Sequence, residues 1–191
     1  MYMSDQLKGF INGKEEKDPC AFSHPEKYGP LNMDVITLPV SRNGFICTGH
    51  YTPTKTLCVI DLDAADAQKV DFHKLTNIPL LQKNNTFITE TGGDGAHLYY
   101  WVLTKELITN HAYKLNGTIG LTPLAKDLHI KEVDTRGEGG LVFAPGCKFK
   151  EHSHEYLILI DQNIKEISLA TYNSILKLFV NLPKGEQQKL F

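Results

Sequence analysis

Hydrophobic and polar positions follow two rhythms along this chain, and the switches between them mark out its elements. Thr56-Leu57-Cys58-Val59-Ile60-Asp61 is a short, partly β-branched apolar run and predicts a buried strand. Asp63-Ala64-Ala65-Asp66-Ala67 then predicts a helix to about Leu75, its acidic first turn favoured by the positive end of the helix dipole. Residues 86–91 and 96–103 read as two strands around Gly92-Gly93-Asp94-Gly95, a hairpin with a glycine-rich tip. A mixed polar and helical stretch covers 105–131, and strands return at 132–135, 140–145 and 155–160. A second glycine-rich turn, Arg136-Gly137-Glu138-Gly139, separates the first two. Behind Ser168, a good N-cap, the residues Leu169, Tyr172, Ile175, Leu176, Phe179 and Val180 fall at helical spacing and predict an amphipathic helix over 168–180. The first 35 residues are rich in Gly, Pro, Lys and Glu, and predict irregular structure around a short helix on the domain edge.

Several strands with few crossover helices predict an α+β domain on a mostly antiparallel sheet. A dinucleotide-binding reading fails, because neither glycine turn joins a strand to a helix at the required spacing. With 191 residues, 41% of them hydrophobic, and a formal charge of -2, the chain suits one packed domain rather than a disordered segment. The expected organisation is a single domain over 1–191: an irregular part at 1–42, a motif-bearing core at 43–160, the helix at 168–180 and a tail at 181–191. No apolar run approaches the ~20 residues of a membrane-spanning helix, and the N-terminus lacks the apolar core of a signal peptide. An intracellular protein without a membrane partner is expected. The four cysteines (Cys20, Cys47, Cys58, Cys147) are scattered and are expected to be reduced. Among 20 basic residues only Arg42 and Arg136 are arginines, the side chain suited to bidentate contact with phosphate or carboxylate.

Three segments carry chemistry. In Ile60-Asp61-Leu62-Asp63, alternation on a strand puts both carboxylates on one side. Such a pair is costly without a cation, and a hard divalent ion removes the cost; a bare strand end with Asp63 capping the next helix is the plainer alternative. In Thr91-Gly92-Gly93-Asp94-Gly95-Ala96-His97, clustered glycines let backbone N–H groups approach a phosphate, and the strand beyond aims His97 at the same place. A tight turn with a structural histidine is the rival. In Val133-Asp134-Thr135-Arg136-Gly137, Asp134 and Arg136 share a face, as metal ligand and phosphate contact or as a mutual ion pair.

Together and in this order, the segments VIDLD, TGGDGAHLYY and EVDTRGEGGLVFAP resemble the motifs of the archaeo-eukaryotic primase superfamily. They are most similar to the bifunctional primase-polymerase domains of plasmid, viral and mobile-element replication proteins. Asn43-Gly44-Phe45-Ile46-Cys47-Thr48-Gly49 resembles the short strand and glycine ahead of the first motif, so the likeness spans roughly 43–160. It implies an RRM-like catalytic sheet packed with a smaller N-terminal α/β module around a central cleft. It implies further that Asp61, Asp63 and Asp134 hold two Mg²⁺ or Mn²⁺ ions for template-directed nucleotide transfer to a 3′-hydroxyl. By the same resemblance His97 contacts the triphosphate, with the backbone of Gly93 and Gly95 nearby and Arg136 on a phosphate or sugar. The implied partners are a single-stranded DNA template and primer, dNTPs or NTPs, and a helicase or sliding clamp in trans or in a longer chain.

The chain departs from the pattern at Gly95, where many members carry serine, and at Gly146-Cys147, where serine often follows the proline. There is no Walker-type loop, and a zinc set of Cys20, His24, Cys147 and His152 would have to be gathered from across the chain. Two other functions compete. A rolling-circle replication endonuclease would use His152-Ser153-His154 and Tyr172, and a non-catalytic single-strand-binding domain would keep the fold alone. The C-terminal Gln187-Gln188-Lys189-Leu190-Phe191 resembles a clamp-docking peptide.

Overall fold

The computed structural model describes residues 8–12, 31–32, 43–114, 120–149 and 152–182. Two sheets organise them. The larger is centred on β5 (Lys55–Ala64), which pairs on one side with β7 (Ala96–Leu103) and on the other with β9 (Ile130–Arg136). Its full order is β11-β6-β7-β5-β9-β8, with β6 at Ile88–Glu90, β8 at His111–Lys114 and β11 at Leu157–Ile160. Two further strands attach to it, β4 (Gly49–Thr52) to β5 and β12 (Lys165–Ser168) to β7. Every pairing in this sheet is antiparallel except β12 with β7, so the architecture is α+β on a mostly antiparallel sheet.

Alternation along β5 and β7 explains why this sheet is covered on both faces. Cys58, Ile60 and Leu62, with Leu98, Tyr100 and Val102, face a layer containing α1 (Phe72–Thr76), α2 (Pro79–Lys83), α3 (Pro123–Asp127) and α4 (Leu169–Leu176). Leu57, Val59, Tyr99 and Trp101 face the other way, onto Ile46, Val142, Ala144 and Phe149. Each fully buried Leu, Ile or Val contributes ~1.5–3 kcal/mol, so both layers are firmly attached. The second layer carries the smaller sheet, ordered β10-β3-β1-β2, with β1 at Lys8–Asn12, β2 at Leu31–Asn32, β3 at Asn43–Cys47 and β10 at Leu141–Phe143. Cys147 anchors it: its Sγ accepts from the Gly44 N–H at 3.2 Å and donates to the Gly44 carbonyl at 3.1 Å.

Several local expectations need correction. Asp63 does not open a helix. β5 runs on to Ala64 because Asp63 pairs with Glu132, and α1 begins only at Phe72, where Asp71 caps it by accepting from the Lys74 N–H at 2.9 Å. Strands β8 and β12 lie where the apolar pattern was too thin to predict them; each buries a single side chain, Tyr113 and Ile167. The last helix is capped by Ser168 as expected but ends at Leu176, after which Val180 bridges to Leu121. Where irregular structure was expected near the N-terminus, 8–12 and 31–32 are strands. The described residues of the small sheet are strands, and its edge strand β10 comes from beyond the second glycine turn. Cys20, His24, Arg42 and the 187–191 tail lie outside the described residues. Cys47, Cys58 and Cys147 are thiols. No described helix is long and apolar enough to cross a membrane.

Candidate active site

The odd-numbered face of β5 changes character along its length, from Leu57 and Val59 under the small sheet to Asp61 and Asp63 beyond it. The register of the neighbours completes the change. Asp61 is the cross-strand partner of His97 on β7 and of Asp134 on β9. Directly opposed residues stand ~5 Å apart and share a face, so three side chains form a row across the sheet. Two residues along each strand, Asp63 pairs with Glu132 and Val59 with Arg136.

Asp61 and His97 of this row, with Asp63, floor a cleft of about 270 Å³, while Asp134 lies beside Asp61 outside its lining. Its far wall is Leu141, Val142 and Phe143 of β10, with His152 and Tyr156 from the segment after it. Tyr156 packs against His97 at 5.7 Å and Phe143 at 5.6 Å between ring centroids, so an aromatic wall faces an acidic floor. Thr91 and Gly93 of the glycine-rich turn close one end, and Lys131 and Arg136 also line the space.

The floor is electrostatically loaded. Burial, then the charges of Asp61 and Asp134, push the Asp63 carboxyl up to about 6 from the ordinary 3.8. Burial also raises Asp134, opposed by the Arg136 guanidinium beside it. His97 Nε2 lies 3.4 Å from Asp61 Oδ1, while its Nδ1 lies 3.3 Å from the Tyr99 hydroxyl, which fixes the ring between floor and core. Arg136 Nη2 donates to Asp134 Oδ2 and lies 3.9 Å from Asp61 Oδ2. Asp134 Oδ1 is buried without a hydrogen-bond partner. Crowded carboxylates, one of them holding an unsatisfied buried oxygen, are the donor type that a hard divalent cation takes.

The two glycines singled out by sequence behave differently. Gly93 is exposed at the cleft, and a Cβ there would meet nothing closer than Thr91 Oγ1 at 4.0 Å. Gly95 is buried outside the cleft lining. Its N–H donates to Thr91 Oγ1 at 2.9 Å, and a Cβ would come within 2.3 Å of the Leu62 carbonyl oxygen. Gly95 is therefore required for close approach to β5, and its N–H is already committed to Thr91.

A second cluster went unnoticed in the sequence. The donor atoms of Glu90, Asp94 and His154 lie within 4.8 Å of one another, near enough to share an ion. His154 Nε2 is 3.2 Å from Asp94 and 3.4 Å from Glu90, and Lys69 also reaches Glu90. The bond between His154 Nδ1 and the Glu155 carbonyl, 2.7 Å long, raises the imidazole's affinity for a proton, with Asp94 adding to it. This cluster ties the glycine turn to 152–156, and a Cβ on Gly92 would strike His152 and the His154 carbonyl. Three residues scattered over 65 positions carry no local spacing signal.

The endonuclease arrangement does not assemble. His152 lines the cleft while His154 turns to Glu90 and Asp94, and Tyr172 is 1% exposed in the core on the opposite face of the sheet. Burial pushes its phenol well above the ordinary range, so it is neither reachable nor ionisable as a nucleophile.

Comparison with known families agrees with the motif order. The family model described as bifunctional DNA primase/polymerase, N-terminal, matches residues 36–170. No curated protein matches the chain.

Proposed function

As a member of the bifunctional DNA primase/polymerase N-terminal domain family, to which the chain belongs, this protein, we propose, is a metal-dependent nucleotidyltransferase that extends, and initiates, nucleic-acid chains on a single-stranded template. One observation supports this reading above all: the shared register that sets His97, Asp61 and Asp134 side by side across the sheet, with His97 and Asp61 on the floor of an open cleft. In this reading the larger sheet is the RRM-like catalytic sheet of the family.

Asp61, Asp63 and Asp134 would hold the divalent ions, Mg²⁺ or Mn²⁺. When bound there, such ions supply Lewis acidity toward the attacking 3′-hydroxyl and the departing pyrophosphate. The chain's own groups do the rest. His97, braced by Tyr99, presents its ring edge to the triphosphate. The exposed Gly93 backbone leaves a phosphate room to approach. Phe143 and Tyr156 offer a flat apolar surface for the incoming base or sugar. A helicase or clamp partner belongs to the same proposal and rests on the resemblance alone.

Primer extension and de novo priming with dNTPs or NTPs and Mg²⁺ or Mn²⁺ test it. Wild-type protein is expected to incorporate nucleotides, and Asp61→Ala or Asp134→Ala to abolish incorporation, a loss of at least ~10³-fold, with the fold retained. Template binding with no incorporation under any metal would sink the enzymatic reading in favour of a strand-binding domain.

A further inference from the structure

The guanidinium of Arg136 occupies a position that the proposed chemistry needs for something else. Its Nη2 donates to Asp134 Oδ2 and sits 3.9 Å from Asp61 Oδ2, between the two carboxylates a shared cation would join. Arginine is scarce in this chain, and this is the one borne by the described residues. The pairing is also incomplete: Arg136 Nε is buried with no hydrogen-bond partner, although a guanidinium offers five N–H donors in a fixed fork.

The backbone beneath it is held firmly. Gly137 N–H donates to Asn110 Oδ1 at 2.8 Å, and its carbonyl accepts from Thr48 Oγ1 at 2.6 Å. A Cβ on Gly137 would come within 2.1 Å of the Ile108 carbonyl oxygen, so the chain is pressed close there. Any rearrangement at this corner is therefore made by the Arg136 side chain, which is about one-third exposed and opens onto the cleft.

Resting on the nucleotidyltransferase reading, we propose that Arg136 is the resident counter-cation of the acidic floor, displaced when a divalent ion binds and thereby released to the nucleotide. Without metal, the guanidinium lessens the mutual repulsion of Asp61 and Asp134. A divalent ion on the same carboxylates repels it. The side chain then swings on its fixed backbone into the cleft, where a triphosphate accepts the fork that Asp134 held only in part. Arg136 thus opposes binding of the metal alone and favours metal and nucleotide together, which couples the two through one side chain.

The experiment measures Mn²⁺ binding to the whole chain by calorimetry, without nucleotide, for wild type, Arg136→Met and Arg136→Lys. A non-hydrolysable dNTP is then titrated at saturating Mn²⁺. Arg136→Met is expected to bind Mn²⁺ about tenfold more tightly than wild type and the analogue at least about tenfold more weakly. Arg136→Lys, which keeps the charge, is expected to stay near wild type for Mn²⁺. A purely structural arginine would not yield tighter metal binding when removed. Equal or weaker Mn²⁺ binding by Arg136→Met, with primer extension by wild type intact, overturns this proposal alone. No Mn²⁺ uptake by any form overturns it together with the metal-dependent reading of the site.

Discussion

Asp63 is the residue at which stability and the proposed chemistry conflict most measurably. Its carboxyl is raised from 3.8 to about 6, first by burial and then by the charges of Asp61 and Asp134. Because the folded protein holds this proton more tightly than the unfolded chain does, the linkage favours folding in acid. The contribution is complete below the unfolded value near 4, falls as pH rises to about 6, and is gone above that. A tenfold difference in proton affinity between the two states is worth ~1.4 kcal/mol, so the ceiling is ~3 kcal/mol. The repulsion is shared with Asp61 and Asp134 and the site opens to solvent, so ~1–2 kcal/mol is the expected share. Asparagine has nearly the same shape and no charge. Asp63→Asn is therefore expected to melt roughly 3–8 °C above wild type at pH 7.5 in EDTA, and to converge with it near pH 4. Adding Mn²⁺ should stabilise wild type more than the variant and narrow the gap. Thermal melts from pH 4 to 8, with and without metal, decide the matter. A variant no more stable than wild type at pH 7.5, or a gap that ignores pH, would refute the claim that burial and like charge together strain the Asp63 carboxylate.

Other consequences can be checked separately. His97→Ala is expected to raise the apparent KM for dNTP by about tenfold or more while template affinity holds, in steady-state extension and strand-binding assays. Gly95→Ala forces a methyl group against the Leu62 carbonyl and should cost ~1–3 kcal/mol or more, whereas Gly93→Ala should leave the melting temperature within ~1 °C. His154 is raised, so its bond network stabilises the glycine turn below the ordinary histidine pKa of 6.5 and loses that effect as pH rises through the folded value. Amide exchange at 92–95 should then show a loss of protection with rising pH beyond the intrinsic rate change, absent in His154→Gln.

The legible parts of this molecule were those with strong local signatures. The apolar run into Asp61, the glycine hairpin before His97 and the start of the Ser168-capped helix each carry their pattern within a few residues, and each is found where expected, although that helix stops at Leu176. The row of Asp61, His97 and Asp134 was anticipated as a group through motif order; that the three are direct cross-strand partners is a matter of register, which local sequence does not encode. Asp63 misled because a helix-opening signal was outweighed by strand pairing with Glu132. β8 and β12 were missed because one buried side chain apiece makes no periodicity. Glu90, Asp94 and His154 were missed because only the completed chain brings β6, the glycine turn and the segment after β10 together.

The swap of β10 into the small sheet has a consequence for how the protein is made. β3 pairs with a strand that lies 98 residues later at the Phe45–Phe143 register, and Gly44 bonds Cys147 across 103 positions. A nascent chain therefore cannot finish its first sheet until the central strands β5, β7 and β9 have been synthesised. Contacts of such long range slow folding, because the loop between them must close before any pairing repays the entropy. The cleft's aromatic wall arrives with that same late strand and the residues just after it. Acidic floor and aromatic wall meet only near the end of folding, so a ribosome-bound or truncated chain ending before β10 carries the carboxylates without the wall that faces them. Limited proteolysis of stalled chains of increasing length should show the small sheet gaining protection only after residue 147 has emerged.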